Sequence, residues 1–467
     1  MAKESIQVKK KMLVYLVLLV VLIFAAYIVF PYATQTVEMD ASPVYPEVSA
    51  AEYSVVTETE IQGTITLTID EGVYEFISGK ETQVYAYNNQ IPGPLIRGKI
   101  GETKRIVVYN NLDEPTTVHW HGLQVANIQD GVSQVTQDPI MPGESFTYDI
   151  ELRNPGLYWY HSHVDAHKQV ESGLQGVILI EKEGDKNEGD VDEGNILVLD
   201  DVLLGSDYQL RSFDLGVMHG RFGNVFLVNG KTNPSISLEN NRLRIVNTAN
   251  ARSFNIMFNG KPFTVIGMDI GTSEPFETTL LQIHPGERYD ILLPDASSRE
   301  VQMMHYTSRG QVPLATLAHN GEIVDEEKVG TFVMPFNVSE MVAKDPDYYA
   351  QLEGYRGGEY GLIWSINRKY HPDTTEVFKI QEGDIVKFRL KNIQGQPHPM
   401  HLHGQKFIVL SKNGVVEEHF GWKDTVMVSS NEEVDIVFVA EEKGSWVFHC
   451  HILEHAKAGM LSVVEVM

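Results

Sequence analysis

The sequence predicts an all-β protein: three similar β-sandwich domains in a row, preceded by one N-terminal transmembrane helix. Three observations carry that expectation. Short runs such as Thr64-Ile65-Thr66-Leu67-Thr68-Ile69, Arg105-Ile106-Val107-Val108-Tyr109 and Val434-Asp435-Ile436-Val437-Phe438 alternate in polarity between Gly, Pro and Asn turns, the period-two pattern of half-buried strands. Two turn-and-strand units each recur three times along the chain, the signature of a repeated supersecondary unit. Ahead of them stands an uncharged apolar run, Met12 to Phe30.

That run is the first element. Its residues, at about 1.5 Å each, cover about 28 Å, close to the thickness of a hydrocarbon core. Residues 1–11 carry Lys3, Lys9, Lys10 and Lys11, whereas Glu38 and Asp40 follow the run. This asymmetry puts residues 1–11 in the cytoplasm and the remainder outside, as a single-pass membrane protein with an extracytoplasmic body. A cleaved signal peptide, giving a secreted or periplasmic protein, is the competing reading. Residues 31–60 are rich in Pro, Ser, Thr and Glu without apolar periodicity and read as a tether.

The body of about 400 residues is too long for one core. Its first repeated unit runs Gly101 to Asn110, Glu239 to Asn247 and Glu382 to Asn392, each copy ending in Asn. The second is Pro142-Gly143-Glu144 before Tyr148-Asp149-Ile150, Pro285-Gly286-Glu287 before Tyr289-Asp290-Ile291, and Asn431-Glu432-Glu433 before Asp435-Ile436-Val437. The copies place domains at 61–182, 195–335 and 360–467. An acidic run, Glu181 to Gly194, and the stretch near Phe336 to Tyr360 read as the connections.

On this frame the histidines fall into pairs. His119-Trp120-His121-Gly122 follows the first Asn, and His398-Pro399-Met400-His401-Leu402-His403-Gly404 follows the third. The matching segment of the second domain, Ala251 to Asn255, has none, so that domain reads as a spacer without metal ligands. His161-Ser162-His163 in the first domain mirrors His449-Cys450-His451 in the third. On a strand, His-x-His puts two imidazoles on one face about 7 Å apart, suited to two neighbouring ions. Cys450, the single cysteine, points the opposite way, and His455 and Met460 follow within reach. One thiolate, imidazoles and a distant thioether make the ligand set of a blue-copper electron-transfer site; zinc has no redox use for it.

Taken in chain order, His119 to Gly122, His161 to His163, His398 to Gly404 and His449 to Met460, these four motifs resemble the copper-binding motifs of the three-domain multicopper oxidases, the laccase-like family, over roughly residues 60–467. The resemblance implies cupredoxin-like Greek-key β-sandwich domains and four copper ions: one type 1, one type 2 and two type 3. It implies His398, Cys450, His455 and weakly axial Met460 at type 1, and His119 and His401 at type 2. His121, His161 and His451 would hold one type 3 ion; His163, His403 and His449 the other. Asp130 matches the family's acid beside type 2 copper, expected to supply protons for reducing dioxygen to water. Bacterial relatives often carry an acid directly after the last type 1 histidine; here Ala456 stands there, with Glu454 the nearest acid.

The expected activity is a multicopper oxidase: four one-electron oxidations of a reducing substrate, a phenol, an aromatic amine or a metal ion such as ferrous, coupled to dioxygen reduction. A metallo-oxidase in metal homeostasis (ferrous, cuprous or manganous), a copper nitrite reductase and a non-catalytic copper-binding cell-envelope protein are the alternatives. A net charge of −26 argues against nucleic acid and favours cations near the surface. Cuprous specialists of the family place Asp and Met where Gln394 and Gln396 stand. The expected partners are thus dioxygen, a small reductant or metal ion, and a membrane through the N-terminal helix.

Overall fold

The computed structural model describes residues 63–182, 195–211, 218–293, 300–324 and 332–467. The expected anchor (12–30), tether (31–60) and most of the acidic run before Gly194 lie outside them. Among the described residues no helix is long and apolar enough to cross a membrane.

The chain folds into three strand-rich units, each with its own core and each built from two sheets. In every unit the opening strand runs parallel to the strand ending in the repeated Asn. These pairs are Thr64–Ile77 with Thr103–Asn110, Ile196–Val202 with Arg242–Asn247, and Tyr348–Arg356 with Ile385–Asn392. The other sheet of each unit also holds one parallel pair: Gly93–Lys99 with Gln175–Glu181, Ser235–Asn240 with Gly310–Glu322, and Glu376–Ile380 with Leu461–Val466. The alternation read from Thr64 to Ile69 is real: Ile65, Leu67 and Ile69 are buried in the first core and the threonines between them are half-buried. Tyr348–Arg356, inside the expected second connection, is a strand of the third unit's sheet. Its Tyr349 is 57% exposed and only Ala350 and Leu352 enter the core, so its alternation is too short to stand out.

The Asn that closes the first repeat is a clamp. Asn110 Nδ2 donates to the carbonyls of Glu114 and Ile140, both at 2.9 Å, while its Oδ1 accepts from Leu112 N at 3.0 Å. Asn247 does the same with Arg252, Ile283 and Ala249, and Asn392 with Gln396, Val428 and Gln394. A short amide carries two donors and an acceptor, enough to pin a chain reversal whose buried backbone groups would otherwise go unpaired. The second repeat seats on the first: Asn110 N donates to Glu144 O, Asn247 N to Glu287 O and Asn392 N to Glu432 O. In the first and third units the clamped turn leads straight into a histidine strand, Val118–His121 and His398–Leu402. Those strands pair with Gly156–Ser162 and Gly444–Cys450 respectively.

Candidate metal centre

Strand pleating divides the histidines and the cysteine. Cys450 closes a strand, Gly444–Cys450, that is buried from Trp446 onward and whose successive side chains face opposite ways. On one side, Cys450 Sγ lies 3.6 Å from His398 Nδ1 and 3.5 Å from His455 Nδ1, and the two nitrogens are 3.1 Å apart. On the other side, His449 groups with His163 and His403, and His451 with His121 and His161. A further group joins His119, His121 and His401; within each group the ligand atoms lie within 4.8 Å of one another. Met460 is fully buried and its backbone ties the Cys450 side together: its N–H donates to His455 O and its carbonyl accepts from Cys450 N.

The paired imidazoles sit closer than a flat strand implies. Ring centroids are 5.9 Å apart for His119 and His121, 6.2 Å for His161 and His163, 4.8 Å for His401 and His403, and 5.7 Å for His449 and His451. Ring tilt and strand twist draw them together.

One nitrogen of most rings is held from behind. His119 Nδ1–H donates to Asp130 O at 2.7 Å, His401 Nδ1–H to Asp424 O at 2.9 Å, His161 Nδ1–H to Ser162 O at 2.9 Å and His449 Nδ1–H to Cys450 O at 3.0 Å. His403 Nδ1–H donates to Asp130 Oδ2 at 2.9 Å, and His121 Nε2–H to Asp424 Oδ1 at 3.1 Å. These bonds choose the tautomer and aim the other nitrogen inward. The inward atoms of His119, His121, His161 and His401, and both nitrogens of His451, are buried with no hydrogen-bond partner. Burial pushes His121, His161, His401, His403, His449 and His451 down, and His163 to about 3, which favours their neutral form. Burial equally drives the Cys450 thiol above its ordinary range, so a thiolate there requires a cation beside it. Unpaired neutral imidazoles converging in groups of three, with one thiol, fit copper.

Several residues essential to this arrangement escape the sequence motifs. Asp424 bonds His121 with its carboxylate and His401 with its carbonyl, and Arg288 grips it from the second domain at 2.7 and 2.6 Å. Against burial, which pushes it up, the Arg288 guanidinium holds the Asp424 carboxyl well below the usual range. Gly286, in the left-handed region at φ +89°, brings the second domain's Pro-Gly-Glu turn against the cluster: a Cβ there would stand 3.0 Å from His121 Cε1. The second domain therefore contributes no imidazole to these groups but does more than space the others. Trp159 packs on His161, His121 and His451 at 4.3, 4.9 and 5.3 Å between centroids. Gly131, at φ +79°, holds Asp130 in place because a Cβ would meet Val118 O at 1.8 Å. No spacing rule links Asp424, Arg288 and Gly286 to the histidines they support, since His121 and Asp424, Asp424 and Arg288, and Gly286 and His121 meet from far apart in sequence; Trp159, two residues before His161 on its strand, was within reach of a strand reading.

Comparison with known proteins agrees with this geometry. Family models described as multicopper oxidase match residues 68–185, 217–316 and 344–467. The multicopper oxidase mco of Staphylococcus aureus is 29% identical over 424 residues, covering 86% of this chain and 88% of its own length. A multicopper oxidase from Campylobacter jejuni, described as a metallo-oxidase, is 26% identical, with 90% of this chain and 96% of that one covered and a TM-score of 0.78. A laccase-like enzyme from Ochrobactrum sp., with oxidase activity towards lignin model compounds, is 26% identical with a TM-score of 0.78, covering 91% of this chain and 100% of its own.

Proposed function

Because the chain belongs to the multicopper oxidase family, and is thus a copper oxidoreductase of three cupredoxin-like domains that uses dioxygen, we propose specific roles for its residues. Copper, when bound, supplies one-electron oxidation at a type 1 centre and reduction of dioxygen to water at a type 2/type 3 cluster. His398, Cys450, His455 and Met460 would hold type 1. His119 and His401 would hold type 2; His121, His161 and His451 one type 3 ion; His163, His403 and His449 the other.

One observation carries this reading. Cys450 belongs to one group while the residues on either side of it, His449 and His451, belong to two others. A single peptide bond on each side of Cys450 therefore joins the two centres, a short covalent path from reductant to oxidant. Asp130 orients His119 through its carbonyl and His403 through its carboxylate, and that carboxylate is the acid placed to hand on protons. The complete ligand set favours the oxidase over a non-catalytic binding protein, and three domains with the His-Cys-His triplet disfavour a nitrite reductase.

Gln394 is engaged elsewhere: its amide donates to Gly354 O at 2.6 Å and accepts from Gly354 N at 2.8 Å. Occupied as a backbone clamp, it argues against a cuprous specialist. Phenols, aromatic amines and ferrous ion are the substrates we retain, the metallo-oxidase reading being favoured by the charge of −26. The run 12–30 would anchor the chain in the membrane with the body outside the cytoplasm.

The test is oxygen uptake by the copper-loaded protein against a panel of a phenol, ferrous and cuprous ions. Copper-dependent uptake and a visible thiolate-to-copper charge-transfer band, absent in Cys450→Ser, are expected. A copper-replete, colourless protein that consumes no oxygen would sink the reading.

A further inference from the structure

A strap of the second domain lies over the Cys450 group. Along it, Met218, His219, Phe222 and Asn224 are exposed, and Gly220, Arg221 and Gly223 are buried. Each buried residue is an anchor. Gly220 has φ +75°, and a Cβ on it would stand 2.6 Å from both Ala251 Cβ and Ile452 Cγ2. Arg221 N donates to Glu454 Oε2 at 3.2 Å, and its Nε lies 3.5 Å from Glu454 Oε1 with both side chains 1% exposed. Gly223 N donates to Asp201 Oδ2 at 2.6 Å, and its carbonyl accepts from Arg252 at 2.8 Å. The strap ends on the ring beside the thiol: His455 Nε2–H donates to Met218 O at 3.3 Å.

His398 and His455 are fully buried, and Trp364 packs beside both at 4.9 and 4.4 Å. The outer nitrogen of His455, the edge a reductant would otherwise touch, is committed to a main-chain carbonyl. Met218, which supplies that carbonyl, is itself 49% exposed. Among the described residues, an aromatic donor that touches the outer edge of the ring must displace that carbonyl, and moving the strap pulls at the buried Arg221–Glu454 pair, whose separation leaves a charge without its partner. A hydrated cation needs no such contact to give up one electron, and the chain's negative charge draws it in.

We propose that the Met218–Asn224 strap sets reductant specificity, excluding donors that must touch His455 and leaving the centre to cationic donors that react across it. The proposal rests on the type 1 assignment above. Ferrous ion is the probe: four ferrous ions become ferric, and their four electrons, with four protons, convert one dioxygen to two waters. Arg221 is a positioning residue here, because it acts through Glu454 and the strap.

Two measurements test this. In the copper-free protein, the single thiol Cys450 should react slowly with a small aromatic disulfide reagent, and Arg221→Ala or Gly220→Ala should speed it at least several-fold. Gly220→Ala moves the strap by steric conflict alone, without disturbing a charge. In the copper-loaded protein, either variant should raise the phenol-to-ferrous ratio of kcat/KM by roughly tenfold to hundredfold, the scale on which contact geometry governs rate. Arg221→Lys, which keeps the charge, should shift it less. A wild-type protein that is blue and oxidises a dimethoxyphenol as efficiently as ferrous ion would overturn the strap but not the oxidase. So would faster labelling of Cys450 with an unchanged ratio. A colourless protein inert to every donor would instead defeat the type 1 reading on which the strap depends.

Discussion

Asp130 bonds two imidazoles assigned to different copper ions, one with its carbonyl and one with its carboxylate, and this double duty sets what its substitution should do. Asp130→Asn keeps the shape and the carbonyl but removes the charge and the transferable proton. Dioxygen reduction should slow by roughly 10²- to 10⁴-fold, the range for losing one general acid, while reduction of the type 1 centre by substrate stays near wild type. Stopped-flow measurement of the two half-reactions decides; equal slowing of both would mean a structural role only. A histidine outside the motifs gives a separate pH test. His305 is buried against Phe226 and Phe254, and its Nδ1 accepts from Asn255 N at 3.0 Å. Burial first, and Arg252 second, push it down from 6.5 to about 4. The unfolded chain takes up this proton near pH 6.5 and the folded chain only near pH 4. The contribution is therefore complete above 6.5 and lost as pH falls toward 4, by up to about 3 kcal/mol. His305→Gln, which keeps an acceptor and cannot charge, should flatten that part of the thermal-midpoint profile relative to wild type.

At the scale of elements, the repeated Asn is where sequence pattern and structure meet most directly. A terminal Asn recurring three times is visible in the chain; that its amide pins two carbonyls and an amide N–H is visible only once the turn is closed. Asn247 makes the same clamp in the domain without histidine ligands. Asn247→Ala strands buried backbone groups and should cost about 1–3 kcal/mol per group left unpaired. Denaturant unfolding should show that loss, while the visible copper band at saturating metal stays intact. An undiminished midpoint would mean that water replaces the amide. The histidine strands themselves were legible because alternation places His449 and His451 against Cys450 without any tertiary information. The Asp424–Arg288 support was not, because its partners stand 136 residues apart and in different domains.

For the whole molecule, the open question of topology has its own test. Lys9, Lys10 and Lys11 before an uninterrupted apolar run to Phe30 motivate a retained anchor with the body outside. Fractionation of native cells followed by amino-terminal sequencing should recover the intact chain in the membrane. A mature form beginning after residue 30 and free in the medium would refute the anchor and leave the oxidase untouched. Within the body, the assembly of domains explains why a middle domain without histidine ligands is indispensable. It carries Arg288 and Gly286 to the histidine cluster and the Met218–Asn224 strap to the type 1 group.

The chain alone determined the strand periodicity, the threefold repeat, the candidate ligand residues and their division between two faces. These are local properties, set by side-chain alternation and by motifs a few residues long. Only the tertiary structure decided, for most of the rings, which nitrogen is held and which is left to bind. It likewise decided that Asp424 and Arg288 support the cluster and that a second-domain strap closes over His455. The bonds from His403 to Asp130 and from His121 to Asp424, the Asp424–Arg288 support and the strap depend on contacts between segments more than a hundred residues apart, and no pattern along one segment encodes which distant carbonyl or carboxylate will meet it.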